Sequence, residues 1–305
     1  MKYSSIWSGL SVFLVVPIWA FDYTVTKIAL QGLDPLVYAS MRFVLASILL
    51  FFIQLRYPKP NYSSREIWKI IAAGVVGVSI YQAAYTTGLN FISAGEAALL
   101  IAASPIFTVF LAASLGIEKI TILKIVGGIL AIIGVGLIVT RGISLFPFKA
   151  STLIGYILAL VTAAAFGFRS VILQEVLEQY SAIPTVSKSI FVGTAVLLLI
   201  SIPSFLHQNW DSVTNLSWLA VCYGGIFSTT IGYILWYRGI GLIGATKTMF
   251  YYYLVPLVAV LFAVFFLGEH ITFTIVVGGL LTLLGVILAV WKPIYPREEN
   301  NYQRS

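Results

Sequence analysis

Long apolar runs alternate with short polar interruptions along this chain, and the length of the runs carries the first information. A helix that crosses about 30 Å of hydrocarbon needs about 20 mostly apolar residues. Dividing the sequence wherever Pro, Gly, Asn or charge clusters break such runs gives ten segments, roughly 7–30, 35–55, 67–89, 94–115, 119–140, 152–173, 183–205, 216–238, 245–267 and 270–291. The pattern predicts an all-α membrane protein of ten transmembrane helices. Trp7, Trp68, Trp210, Trp218 and Trp291 fall near the ends of runs, where an amphipathic ring gains from the headgroup layer. The first run lacks a short apolar core followed by a small-residue cleavage site, so it reads as a retained helix and not a signal peptide.

The pattern also repeats. GLNFISAGEAALLIAASPIFTVFLAASLGIEKI lies beside GIGLIGATKTMFYYYLVPLVAVLFAVFFLGEHI at a constant separation, with Ala94 on Ala245, Pro105 on Pro256, Glu118 on Glu269 and Gly134 on Gly285, 151 residues apart in each case. Five spans in each half, an odd number, turn the second copy upside down in the membrane. The expected organisation is an amino-terminal five-helix repeat over 1–145, an inverted five-helix repeat over 146–292 and a cytoplasmic tail over 293–305. Inverted repeats are the common device by which secondary transporters form inward- and outward-facing states around a site near the midplane.

Composition agrees and narrows the class. Hydrophobic residues make up 60% of the 305, charged residues 10%, and mean hydropathy is +0.99, whereas globular domains carry about 25% charge. Soluble enzymes and DNA-binding modules are excluded. The net charge of +7 comes from loops on the amino-terminal side, from Lys2, Arg56 and Arg65 to Lys292 and Arg297, while the opposite loops hold Arg141 and Lys149. This positive-inside bias places both termini in the cytoplasm and the chain in the cell membrane. Basic residues spread over short loops, with no stripe of interleaved aromatics, do not make a nucleic-acid surface. Cys222 stands alone, so no intramolecular disulfide forms.

Ionisable groups at membrane depth cost about 2.5–3.5 kcal/mol each even on the lenient insertion scale, so each needs a partner, a wet cavity or a task. Asp22 lies deep in the first span, where it either titrates as a proton-responsive group or pairs with Arg42 or Lys27. Lys27 and Arg42 sit toward the ends of adjacent antiparallel helices and suit a structural or gating role. Arg169 either snorkels or meets a substrate carboxylate. Glu96 and Lys247 occupy nearly the same repeat position with opposite charge, too far apart for an ion pair, and each flanks its own mouth of a pathway or closes a helix end. Glu118 and Glu269 suit the first turns of the spans they begin. Pro105 and Pro256 break helix interiors, as kinks or as hinges, and the glycines at 127, 128, 134, 278, 279 and 285 suit close helix packing. Gln82 and Tyr85 share a helical face, and the 151-residue separation carries them to Tyr233 and Trp236. These four, with Tyr252 from the run Tyr251-Tyr252-Tyr253, are the expected lining of a substrate pocket.

Several of these residues also carry a family resemblance. Trp19-Ala20-Phe21-Asp22-Tyr23 with Lys27, Pro35 with Met41-Arg42-Phe43, and the block from Leu89 through Ala98 to Pro105 and Glu118 resemble EamA-type members of the drug/metabolite transporter superfamily. Asp22 stands where that family more often has a neutral Asn or Ser, and Glu96 where a small or apolar residue is common. The resemblance implies ten helices with cytoplasmic termini and the movement of small metabolites, often amino acids, commonly outward. With His207 and His270 far apart and no phosphate-cradling Gly-Lys-Ser/Thr loop, no catalytic or ATP-binding chemistry is expected, and no cofactor or metal. The expected function is secondary transport of small organic metabolites, amino acids or amphipathic aromatics, by alternating access, with protons as a candidate coupling ion. The alternative is a channel-like or scaffold membrane protein.

Overall fold

The computed structural model describes residues 12–116, 121–140, 149–243 and 251–290. Lys247, Glu118, Trp7 and Trp291 therefore lie outside the described residues. Within them the chain is helical, with no strand. Helix α1 is Val15–Ala29, α2 Pro35–Gln54, α3 Ser64–Phe91 and α4 Ala94–Ser114. There follow α5, Ile122–Thr140, α6, Ala150–Gln179, and α7, Ala182–His207. Helix α8 is assembled from Asn215–Tyr223, Gly224–Ile231 and Gly232–Ile243, before α9, Leu254–Leu267, and α10, Phe273–Val290. Six of these, α2, α3, α4, α6, α7 and α8, are long and apolar enough to cross a membrane, and α5, α9 and α10 are shorter apolar helices.

Polar residues set the helix starts. Asp34 accepts from Leu36 N at 2.8 Å, with Pro35 occupying the first helical position of α2, where a missing N–H costs nothing. Ser63 with Glu66 and Ser93 with Glu96 form reciprocal capping boxes at the starts of α3 and α4, satisfying N–H groups that a helix leaves open. The outside of the bundle is apolar. Ile122, Phe265 and Phe273 are 71%, 79% and 83% exposed, an arrangement that water penalises and lipid accepts. This is a multi-pass membrane protein.

The halves interleave. Along the bundle α5 packs on α10 and α2 on α7, α1 packs on α9 as α4 does on α6, and α2 packs on the middle of α8 as α7 does on the middle of α3. Exchanging helices one to five with six to ten maps this set of pairings onto itself. Glycine makes the α5–α10 contact close, as the sequence implies. A Cβ at Gly134 would lie 2.5 Å from the Gly278 carbonyl oxygen, and one at Gly285 2.5 Å from that of Gly127.

Two further features recur at matching places. Val75–Ile80 in α3 and Gly224–Ile231 in α8 are π-helical, a winding that often marks functional sites. In each stretch a hydroxyl bonds the carbonyl five residues back, Ser79 to Gly74 at 3.5 Å and Thr230 to Gly225 at 2.8 Å. Helix α4 is interrupted at Ala102–Ala103, and Pro105 stands in the first turn of its second piece, Ser104–Ser114. Pro256 likewise stands in the first turn of α9, after a turn at Tyr253. The prolines thus restart helices and do not sit in helix interiors.

Candidate functional site

The bundle interior holds a cavity whose wall comes from both halves. Trp19, Asp22 and Tyr23 of α1 and Arg42 and Phe43 of α2 face Tyr81, Gln82 and Tyr85 of α3, Phe166 of α6, Ser228, Thr229 and Tyr233 of α8, Tyr252 just before α9 and Val255 in its first turn. The free space is about 40 Å³, room for a few water molecules at about 10–15 Å³ each. An organic solute fits only when the rings part.

One wall is an ion pair. Arg42 Nη1 donates to Asp22 Oδ2 at 3.1 Å, and Nη2 lies 3.0 Å from Oδ1, a two-point contact that suits the planar guanidinium. Arg42 Nη2 also donates to Ser228 Oγ at 3.0 Å and to Thr229 Oγ1 at 3.4 Å, and the Tyr85 hydroxyl donates to Asp22 Oδ2 at 3.2 Å. Four helices, α1, α2, α3 and α8, therefore meet on one pair of opposite charges. Asp22 is 6% and Arg42 3% exposed. Of the partners that the sequence offers Asp22, the structure selects Arg42 and not Lys27.

Glycine gives the guanidinium its seat. A Cβ at Gly224 would lie 2.8 Å from Arg42 Nε and 2.9 Å from the Tyr38 hydroxyl, closer than side chains tolerate. The second buried arginine is seated the same way, on the π-helical stretch of the other half. A Cβ at Gly77 would stand 2.4 Å from Arg169 Cβ. Arg169 donates to Ser189 Oγ at 3.2 Å, and its guanidinium carbon lies 4.9 Å from the Tyr233 ring centroid and 5.9 Å from that of Tyr237.

Aromatic rings form the rest of the wall. Trp19 packs against Tyr233, Trp236 and Tyr252 at centroid distances of 5.9, 5.1 and 6.1 Å, and its indole N–H donates to the Ser228 carbonyl at 3.0 Å. Phe166 stacks on Tyr252 at 5.4 Å and meets Tyr81 at 6.2 Å. Edge-to-face and offset pairs of this kind add about 0.5–1.5 kcal/mol each beyond area burial, so the box resists opening without being locked.

The structure brings Asp22, Arg42, Gln82, Tyr85, Tyr233 and Tyr252 to one cavity wall. Trp236 stands one layer behind, against Trp19 and Tyr252, and Arg169 lies behind Tyr233. Tyr253 joins a different core with Ala102 and Leu283. Lys27 is apart from the pair, half-buried and under the influence of the Glu269 and Glu96 carboxylates. Glu96 is 1% exposed, receiving Ser93 N at 3.0 Å and the Tyr156 hydroxyl at 2.9 Å, so it is packed at a helix start and not open to a mouth. Glu269 differs from the expectation that it serves its own span. It accepts from Ala94 N and Gly95 N at 2.6 and 3.0 Å, capping α4 of the other half.

Sequence reasoning did not select Trp19, Tyr81, Phe166, Ser228 or Thr229. A signal for two of them was present. Trp19 and Phe166, Asp22 and Arg169, and Arg42 and Ser189 are each 147 residues apart, a second repeat separation confined to the first two spans of each half.

Apolar helices wrapped around a buried charge pair and an aromatic cavity define a membrane protein with a small polar interior. The EamA-like transporter family matches the chain twice, over residues 6–140 and 153–291, and the chain belongs to that family. An uncharacterized transporter of Archaeoglobus fulgidus is 28% identical over 279 residues, covering 92% of this chain and 97% of the relative. The uncharacterized transporter YyaM of Bacillus subtilis is 26% identical over 270 residues, 88% of each chain. A probable terminal-alkyne amino-acid exporter of Streptantibioticus cattleyicolor is 28% identical over 291 residues, 94% of each chain. A crystal structure 18% identical in sequence superposes with a TM-score of 0.63 over 92% of this chain and 96% of its own, which shows a shared fold. The protein is a membrane transporter.

The seat of Arg42 gives a direct test. Gly224→Ala should lower the unfolding midpoint in detergent by displacing Arg42, whereas Gly136→Ala in α5, where a Cβ meets nothing within 4 Å, should leave it unchanged or raise it. Equal behaviour of the two variants would contradict the seat.

Proposed function

We propose that the protein is a secondary transporter of small organic metabolites, amino acids and amphipathic aromatics among them, that works by alternating access and runs outward. The substrate site in this reading is the cavity between α1, α2, α3, α6, α8 and α9. The observation that carries it is that this cavity is lined from both halves by rings and paired charges and holds only about 40 Å³ of free space. An open channel needs a continuous wet path, and a scaffold has no need of a polar interior that costs free energy to bury.

Ten spans in two inverted five-helix repeats complete the reading. Its supports are the doubled family match, the pairing of helices that survives exchange of the halves, and the matching π-helical stretches. In that arrangement the breaks before Pro105 and Pro256 are the hinges, Lys27 and Glu96 hold helix ends that part when the site changes sides, and Arg42 gates from the cavity wall through its pair with Asp22. Asp22 serves as the anchor of Arg42, held as it is by the fork and by Tyr85, and not as a proton carrier. Direction follows the family expectation and the relative described as an amino-acid exporter.

Two experiments test this. With the exposed native thiol removed by Cys222→Ser, an impermeant thiol reagent should fail to label Ser5→Cys or Gln303→Cys from outside intact cells. Efficient labelling would overturn the cytoplasmic termini. In proteoliposomes preloaded with candidate amino acids, a carrier gives saturable counterflow of labelled solute, a transient accumulation against its gradient. Linear, non-saturating equilibration would favour a channel instead.

A further inference from the structure

Arg169 is a buried charge that the ion pair leaves unanswered. It is 2% exposed, it donates to a neutral hydroxyl, Ser189 Oγ, and its Nε, like that of Arg42, has no hydrogen-bond partner. Among the described residues no carboxylate lies within ion-pair distance of it. At the matching place in the first half the corresponding carboxylate and guanidinium, Asp22 and Arg42, neutralise one another. Arg169 itself occupies the position of Asp22 in the 147-residue repeat, and Ser189 that of Arg42. The second half thus keeps a cation where the first has an internal salt.

A guanidinium without a counter-ion at membrane depth is costly, and its cover here is two tyrosine rings, Tyr233 and Tyr237. Tyr233 lies over Arg169 at 4.9 Å and is also part of the cavity wall. Asp22 and Arg42 on the cavity wall neutralise one another, and Arg169 behind Tyr233 leaves one positive charge beside the cavity. Lys27 is not among the residues of the cavity wall. Rings such as Trp19, Tyr81, Phe166 and Tyr252 would by themselves suit an organic cation as well as an organic anion. The surplus guanidinium decides between the two.

We propose that Arg169 is a second, anion-binding station of the pathway, which receives the carboxylate of an aromatic or amphipathic solute when Tyr233 turns away from it. The transported solute is accordingly an organic anion or a zwitterion, not an amine cation. This rests on the reading of the cavity as the substrate site. The two guanidinium groups, one seated on each π-helical stretch, then stand on either side of the rings, with Tyr233 as the partition that a carboxylate must pass.

The test uses three probes of one shape, 3-phenylpropionate, L-phenylalanine and phenethylamine, added to the purified full-length protein. Thermal protection in detergent should follow the first two and not the amine. Arg169→Gln should weaken the protection by both at least about tenfold, the size of one lost charge-assisted hydrogen bond, while Arg169→Lys retains the preference for the carboxylates. The wild-type order of the probes is read without any substitution, so a variant that fails to fold leaves the proposal exposed to test. Protection by phenethylamine equal to or above that of the carboxylates, no protection by either carboxylate, or unchanged binding in Arg169→Gln would overturn it. Saturable counterflow of phenethylamine alone would keep the carrier and remove the anion station. Carboxylate binding without counterflow would keep the station and remove the carrier.

Discussion

A carboxylate and a guanidinium, Asp22 and Arg42, lie paired within a bundle of apolar helices. Neither charge is tolerable alone in such surroundings. Together, with Ser228 and Thr229 accepting from Arg42 and Tyr85 donating to Asp22, they tie α1 and α2 of one half to α8 of the other. The tie imposes conditions on its neighbours. Position 224 must lack a side chain, the backbone there is π-helical, and Trp19 must reach across to the Ser228 carbonyl. The aromatic wall is what remains once those conditions are met.

The second half solves the same packing problem with a different charge. Arg169 sits against Gly77 on the π-helical stretch of α3 as Arg42 sits against Gly224 on that of α8, and Ser189 carries the hydroxyl that answers it. Similar seats with unequal charge content make the interior asymmetric in potential while its backbone plan is close to symmetric. The interior thus holds a paired charge in one half and a single charge in the other. Glu269 adds a tie between halves at the periphery, where its two oxygens cap α4.

Much of this was legible in the sequence because membranes limit the choices. Apolar run length gave the helices, and the cost of buried charge singled out Asp22, Arg42 and Arg169. Repetition at 151 residues pointed to Gln82, Tyr85 and Tyr233 on the wall. Trp236 shows the limit of that argument, since equivalence in sequence puts it on the same face as Tyr233 but Trp19 stands between it and the cavity. Trp19, Tyr81 and Phe166 escaped because one aromatic among many apolar residues has no local mark. The role of Ser228 and Thr229 depends on a π-helical winding, which shifts the register of every later side chain and is not written in hydrophobic periodicity. Glu269 was legible as a helix cap, but which helix it caps is a fact of the fold. The position of Lys247 falls outside the described residues.

The central claim is that Asp22 and Arg42 act as one unit, and a double-mutant cycle on unfolding in detergent measures that most directly. Asp22→Asn and Arg42→Gln should each destabilise strongly, toward the roughly 3–5 kcal/mol that follows removal of one partner from a buried pair. The double variant should be no worse than the weaker of the two single ones. Losses that simply add, with a coupling energy near zero, would mean that the two charges are held separately and that the cavity does not depend on their pairing.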